Sequence, residues 1–233
     1  MFVADHITKI IDNINSAMKK RTTIQKNRLD PVKLVAVTKN HTVPVIQEAI
    51  AAGILAIGEN RIQEALLKSQ TLDAKVEWQL IGHLQTNKAR VAVSLFDLIQ
   101  SVDSQRLARE IDQAAGKIGK RQDVLIQINV ANEETKFGIA PTEMMALAQY
   151  ISTLENVRLC GLMTVAPFYE DPELARPIFR EMYQLFRKLK DAQLEHTNIE
   201  WLSMGMTHDY TVAVEEGANL VRIGTGIFGQ REY

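Results

Sequence analysis

A single cysteine, Cys160, stands among 233 residues. Its solitude excludes an internal disulfide and any zinc site built from several thiolates, and fits a reducing compartment. An excess of one charge is missing too. The 27 Lys and Arg residues oppose 28 Asp and Glu, a formal net charge of -1, so no strongly basic surface marks a nucleic-acid or anionic-membrane binder. No apolar stretch approaches the ~18 uninterrupted residues of a membrane span, and Asp5 falls where a signal peptide would need an apolar run. These lacks predict a soluble, cytoplasmic chain. The five histidines show no metal-ligand spacing, and HExxH, GxSxG and P-loop patterns are absent. No Gly/Ser/Pro-rich linker divides the chain, so residues 1–233 read as one domain.

What is present is apolar content, 46% of the residues, arranged in alternating patterns. Short β-branched runs predict eight strands: Lys33 to Val37, Ile54 to Gly58, Trp78 to Gly82, Phe96 to Val102, Asp123 to Val130, Val157 to Val165, Glu200 to Met204 and Asn219 to Ile223. Runs such as VLIQINV are apolar on both faces, as in a covered parallel sheet. Between them, helical spacing predicts seven helices: Val43 to Ala52, Arg61 to Ser69, Thr86 to Val93, Ser104 to Ala115, Thr142 to Thr153, Pro172 to Lys190 and His208 to Glu216. In the sixth, Leu174, Ile178, Met182, Leu185 and Leu189 form the expected buried stripe. Such a chain is an open doubly wound sheet or a closed (β/α)8 barrel, and the count favours the barrel. An eighth helix is lacking after the last strand, and an amphipathic segment from about Asp5 to Arg28 is expected to cover the barrel in its place.

Barrel active faces are built at the carboxyl ends of the strands. Lys39 follows the first strand, where apolar neighbours favour a neutral, nucleophilic amine suited to a Schiff base; the plainer reading is a lysine that reaches solvent. Glu59 and Asn60 follow the second strand, and Glu59 is either a base or, more simply, a cap for the helix near Arg61. His83 follows the third, as an acid/base group or a hydrogen-bonded structural histidine. Met163 and Thr164 end the sixth strand; Ser203, Met204 and Gly205 end the seventh. RIGTGIFG, from Arg222 to Gly229, matches G-x-G-x-x-G, but only Gln230 to Tyr233 follow, so no helix or second strand of a dinucleotide fold remains. With Ser203 and Gly205, those glycines read better as a phosphate cradle, or else as tight turns. Arg222, within a strand, needs a partner wherever it points. An amine, a phosphate cradle and an arginine are what pyridoxal 5'-phosphate requires, with the arginine keeping the pyridine nitrogen unprotonated and the ring a weak electron sink.

LVAVTK ending at Lys39, GENRIQE from Gly58, IGHLQTNK from Ile81, KFGI from Lys136, GLMT from Gly161, SMGMTHD from Ser203 and VRIGTGIFG from Val221 occur in an order that resembles the YggS/PROSC family, the pyridoxal phosphate homeostasis proteins, from the first strand to the C-terminus. The resemblance implies a single (β/α)8 barrel of the fold-type III pyridoxal phosphate kind, similar to the N-terminal domain of alanine racemase, with Lys39 as the Schiff-base lysine. It implies that Ser203, Gly205, Gly224 and Thr225, with Met204 among them, hold the phosphate. Arg222 would face the pyridine nitrogen, and Asn60, Ile81 and Met163 would line the ring. Thr207 stands where the family usually has serine, which keeps the hydroxyl.

The implied function is a carrier of pyridoxal phosphate in vitamin B6 homeostasis, without robust catalysis, passing the cofactor to apo-enzymes as a monomer. A racemase needs a second base opposite the lysine, supplied in the racemases by a further β domain that this chain lacks. Tyr169 and Tyr210, in loops after strands six and seven, are weak substitutes. The alternatives left open are a slow amino-acid racemase or decarboxylase, and a cofactor-free Schiff-base aldolase whose loops hold a sugar phosphate.

Overall fold

The computed structural model of the chain describes residues 2–21, 31–133 and 135–229. Eight parallel strands close into a barrel in sequence order: β1 (Lys33–Val37), β2 (Ala56–Glu59), β3 (Glu77–Leu80), β4 (Leu98–Val102), β5 (Gln122–Gln127), β6 (Val157–Met163), β7 (Thr197–Ser203) and β8 (Leu220–Ile223). The barrel closes where β8 pairs with β1, Arg222 opposite Val35. All eight expected strands are present, with shifted ends. β2 starts late because Gly53, at a φ of 98°, ends the preceding helix and the Ile54 N–H still bonds back to Ala49.

Among the described residues the helices are α1 (Phe2–Lys19), α2 (Val43–Ala51), α3 (Ile62–Ser69), α4 (Ala89–Leu95), α5 (Gln105–Gly116), α6 (Met144–Ser152), α7 (Arg176–Asp191), α8 (Tyr210–Glu215) and α9 (Thr225–Phe228). Short 3-10 turns lead into α4, α6 and α7. Among the described residues no helix is long and apolar enough to cross a membrane. Val3, Ile7, Ile10, Ile14 and Ala17 line one face of α1 and are buried, as the spacing i, i+4, i+7 requires. That face packs where an eighth helix would lie. His6 Nδ1 sits 3.0 Å from the Ile227 carbonyl, and Asn13 donates to the Tyr210 hydroxyl at 2.9 Å. The expected helix reached Arg28; α1 ends at Lys19, and residues 22–30 lie outside the described residues, as do 230–233.

Two expectations are corrected. On α7 the buried stripe is Phe179, Met182, Tyr183, Phe186 and Leu189; it keeps Met182 and Leu189 of the expected stripe, Ile178 and Leu185 are half-buried against the core, and Leu174, upstream of the helix, is exposed. The stripe is turned slightly from the expected one toward Phe179, Tyr183 and Phe186, because more apolar surface leaves water when the large aromatic side chains face the core. A one-turn helix, α9, also follows β8, inside the glycine-rich segment read as loop.

The core has two shells. Inside the barrel Val35, Ala56, Leu98, Leu125, Cys160, Met163 and Leu220 pack together; a larger apolar layer joins strands to helices. Gly161 shows how tight this is: at φ 149°, a Cβ there would lie 1.8 Å from the Trp201 carbonyl oxygen on β7.

Candidate functional site

The ten residues singled out by sequence fall at or near the carboxyl ends of β6, β7, β8, β1, β2 and β3, six consecutive staves of the closed barrel. Strand register does this. Val37 pairs with Gly58, Gly58 with Gln79 and Met163 with Ser203, while the Arg222 N–H donates to the Gly205 carbonyl at 3.0 Å.

Lys39 is half-buried in the turn after β1. Beside it Asn60 carries a buried Oδ1 with no hydrogen-bond partner among the described residues, a polar group that costs free energy unless something donates to it. Ile81 is half-buried and approaches Gly58 across β2 and β3; Met163 is fully buried in the barrel interior.

Arg222 points into the barrel and is 4% exposed. Its Nη1 donates to Ser203 Oγ and its Nη2 to the Thr164 carbonyl at 2.7 Å. Burial lowers the guanidinium to about 10, with Asp209 opposing the shift, so it keeps its charge at neutral pH. Ser203 passes the chain onward, donating to Gln100 Oε1 at 2.6 Å. Gln100 donates to Gln79, and Gln79 to Glu77 at 2.7 Å. Glu77 also accepts from Lys33 at 2.7 Å. A polar thread therefore runs down the barrel interior from a cation near the mouth to an anion near the base.

The loops after β7 and β8 touch through Thr207, whose Oγ1 lies 3.2 Å from both the Thr225 hydroxyl and the Gly226 N–H. Gly205, at φ 95°, is needed for packing: a Cβ would come within 2.7 Å of Ala213. Gly224 is different. A Cβ there would touch only Val37, at an ordinary 3.4 Å, so a side chain would occupy space left open beside the end of β1. Met204 packs in the outer layer, and its N–H donates to Leu220.

Glu59 does not cap α3. It is fully buried and accepts from Thr38 Oγ1 at 2.6 Å and Lys68 Nζ at 2.7 Å. Burial raises its carboxyl above the ordinary range, and the bonds from Lys68 and Thr38 offset this only in part. His83 lies flat on Phe137, centroids 3.9 Å apart, with Nδ1 3.6 Å from Asp103. Tyr210 begins α8 instead of lying in a loop, and its hydroxyl is held by Asn13 on the outer side; Tyr169 is half-buried beside exposed Phe168. No cluster of His, Cys, Asp or Glu suited to a metal occurs among the described residues.

Reading only strand ends missed Gln79, Gln100 and Lys68. The signal was there: Gln79 in EWQL and Gln100 in LIQSV lie within strand runs and, once buried, need polar partners.

The profile of the alanine racemase N-terminal domain matches residues 15–232. The pyridoxal phosphate homeostasis protein of Aquifex aeolicus is 40% identical over 236 residues, covering all of both chains. PipY of Synechococcus elongatus has been solved without and with pyridoxal phosphate bound; it is 35% identical, spans 97% of this chain and 100% of its own, and superposes at TM-scores of 0.84 and 0.82. An alanine racemase of Clostridium difficile, 17% identical, shares the fold at a TM-score of 0.70 over 95% of this chain and 57% of its own.

Proposed function

The chain belongs to the family of the pyridoxal phosphate homeostasis proteins, and from that membership we propose that it binds pyridoxal 5'-phosphate at the mouth of its barrel and serves intracellular vitamin B6 homeostasis. One juxtaposition carries the reading: an amine-bearing turn, an unpartnered buried Asn60 Oδ1 and a buried Arg222 cation on neighbouring strands. These fit a ligand that is anionic, carbonyl-bearing and aromatic.

Bound there, pyridoxal phosphate supplies an aldehyde that condenses with amines, a dianionic phosphate and a basic ring nitrogen. Lys39 supplies the amine. Arg222, charged and unable to accept a hydrogen bond, would serve the ring nitrogen and leave it unprotonated. Ser203 donates its one hydroxyl hydrogen bond to Gln100, so it orients Arg222, and the phosphate would fall to Gly224, Thr225 and the exposed Thr207–Thr225 hydroxyl pair. Ile81 and Met163 would supply apolar walls, and Asn60 Oδ1 would accept a hydrogen bond from a donor on the ligand.

The reading extends to a carrier that does not turn over amino acids. Tyr210, whose hydroxyl is tied to Asn13, is not free to act as a base over the mouth. We place the chain in the cytoplasm as a monomer, with residues 1–233 acting as one unit that passes the cofactor to apo-enzymes requiring it.

The test is an absorption spectrum of the purified protein, then borohydride reduction and peptide mapping. A visible band that bleaches on reduction, with the added mass on the Lys39 peptide, is expected. A protein that stays colourless with added pyridoxal phosphate overturns the reading and favours the aldolase-like alternative.

A further inference from the structure

Both peptide groups that flank Lys39 are held by side chains of α3. On the N-terminal side, the Thr38 carbonyl accepts from Lys68 Nζ at 2.7 Å and from the His41 N–H at 3.0 Å. On the C-terminal side, the Asn40 N–H donates to Glu64 Oε1. A peptide group is planar, so the two torsions of Lys39 are the only soft rotations between these planes. With both planes held, the direction in which the Lys39 side chain leaves the backbone is set.

The holding groups brace one another. Lys68 Nζ spends its three protons on Thr38 O, Glu59 Oε1 and Glu64 Oε1, each at 2.7 Å. Glu59 accepts from the Thr38 hydroxyl as well, so one residue of the turn is tied at two points. Asn40 sits at φ 63°, a left-handed conformation that asparagine tolerates and that needs support from its surroundings. Glu59 and Lys68 are almost wholly buried, while Glu64 keeps 22% of its side-chain surface exposed. A buried ammonium between two carboxylates is a poor source of stability compared with apolar packing. Its arrangement here serves geometry.

We propose that Glu64 and Lys68, braced by Glu59, are positioning residues that aim the Lys39 amine into the barrel mouth. The proposal rests on the cofactor reading above. It predicts a defect confined to ligands that engage the amine, with no loss for ligands held only by ring and phosphate contacts.

Glu64→Ala tests this, because Glu64 is the partly exposed member and Lys68 keeps two partners without it. Two probes are compared by equilibrium titration: pyridoxal 5'-phosphate, and pyridoxine 5'-phosphate, which has an alcohol in place of the aldehyde. The variant is expected to bind the aldehyde about tenfold more weakly, the scale of one charge-assisted hydrogen bond, with its affinity for the alcohol unchanged. The borohydride-stable yield on the Lys39 peptide should fall in step. Glu64→Gln, which keeps an acceptor for the Asn40 N–H, should recover most of the loss. Equal weakening toward both probes, or none toward either, overturns the positioning role. Should the unaltered protein itself fail to distinguish the probes and give no reduced Lys39 peptide, the cofactor reading falls, and the positioning role with it.

Discussion

The Ser203 hydroxyl donates a hydrogen bond to Gln100 Oε1 at 2.6 Å, inside a barrel where neither side chain meets solvent. The direction of that bond is fixed from both ends. Arg222 can only donate, and the Glu77 carboxylate can only accept, so every bond between them runs the same way, through Ser203, Gln100 and Gln79. Each group turns its negative end toward Arg222. The thread thus holds a cation in place that burial works against, and the guanidinium keeps its charge at neutral pH although burial lowers it to about 10.

Gln100→Leu should show the worth of the thread. It strips Ser203 of its acceptor and Gln79 of its donor in a fully buried setting, leaving polar groups unsatisfied at a cost of about 1–3 kcal/mol. Urea melts should move accordingly, and affinity for pyridoxal phosphate should fall as Arg222 loses its fixed orientation. A variant with wild-type stability and affinity would remove the thread from both roles.

Arg222→Glu should alter the bound cofactor itself. A carboxylate at that position can share the proton of a pyridinium, where the guanidinium cannot, and the visible band of the loaded protein should shift. An unchanged spectrum with unchanged affinity would place Arg222 outside the site.

Particular residues show how much of this was legible in the chain. The eight strands announced themselves because a parallel sheet covered on both faces needs unbroken apolar runs, such as VLIQINV. Lys39, Asn60 and Arg222 could be placed because barrel topology brings strand ends together whatever the loops do. The stripe on α7 was only partly placed because neighbouring sets of positions that share Met182 and Leu189 satisfy the same period, and only the packing partner chooses between them. Glu59 was read as a cap because its nearest helix begins two residues later; its true partner, Lys68, is one face of that helix away, and linear distance does not show which way a strand residue turns. The one-turn helix α9 has no periodicity to detect, being shorter than two turns.

Acid should weaken the junction between α7, α8 and the end of α1. Burial alone would raise the Glu215 carboxyl, but hydrogen bonds from Lys20 and Arg176 hold it below its ordinary value. A carboxylate with a lowered folded-state value contributes stability above its unfolded value, near 4.5, and loses it as the pH falls through the folded value. Glu64 behaves alike, held down by Lys68 and the Asn40 N–H against the effect of burial. Stability from urea melts should therefore decline below about pH 4.5, and Glu215→Gln should lose stability at neutral pH while flattening that decline. An equally steep decline in the variant would show that other carboxyls carry it.

Ile7→Ala tests whether α1 is part of the barrel or an appendage. Ile7 is 1% exposed and sits amid the apolar face that takes the place of an eighth helix, so the truncation should cost about 2–5 kcal/mol. A single cooperative transition at lower denaturant is expected, since α1 also ties to α8 and α9 through Asn13 and His6. An early transition of the helix alone, with the barrel's own midpoint unmoved, would show that α1 folds independently.

Cys160 reports on the barrel as a whole. Its thiol lies among Val35, Leu98, Leu125 and Leu220 in the closed interior, and burial pushes it up to about 12, so at neutral pH it is neither ionised nor reachable. A thiol reagent should label it only in molecules that have opened, and the labelling rate then measures the open population. A ligand that binds the closed barrel at its mouth suppresses opening by a factor of 1 + [L]/Kd. Saturating pyridoxal phosphate should therefore slow labelling by that factor, in a protein whose one cysteine packs in the interior cluster that also holds Met163. A rate insensitive to pyridoxal phosphate would mean that Cys160 is exposed by opening at the base of the barrel, and that the two ends of the interior move separately.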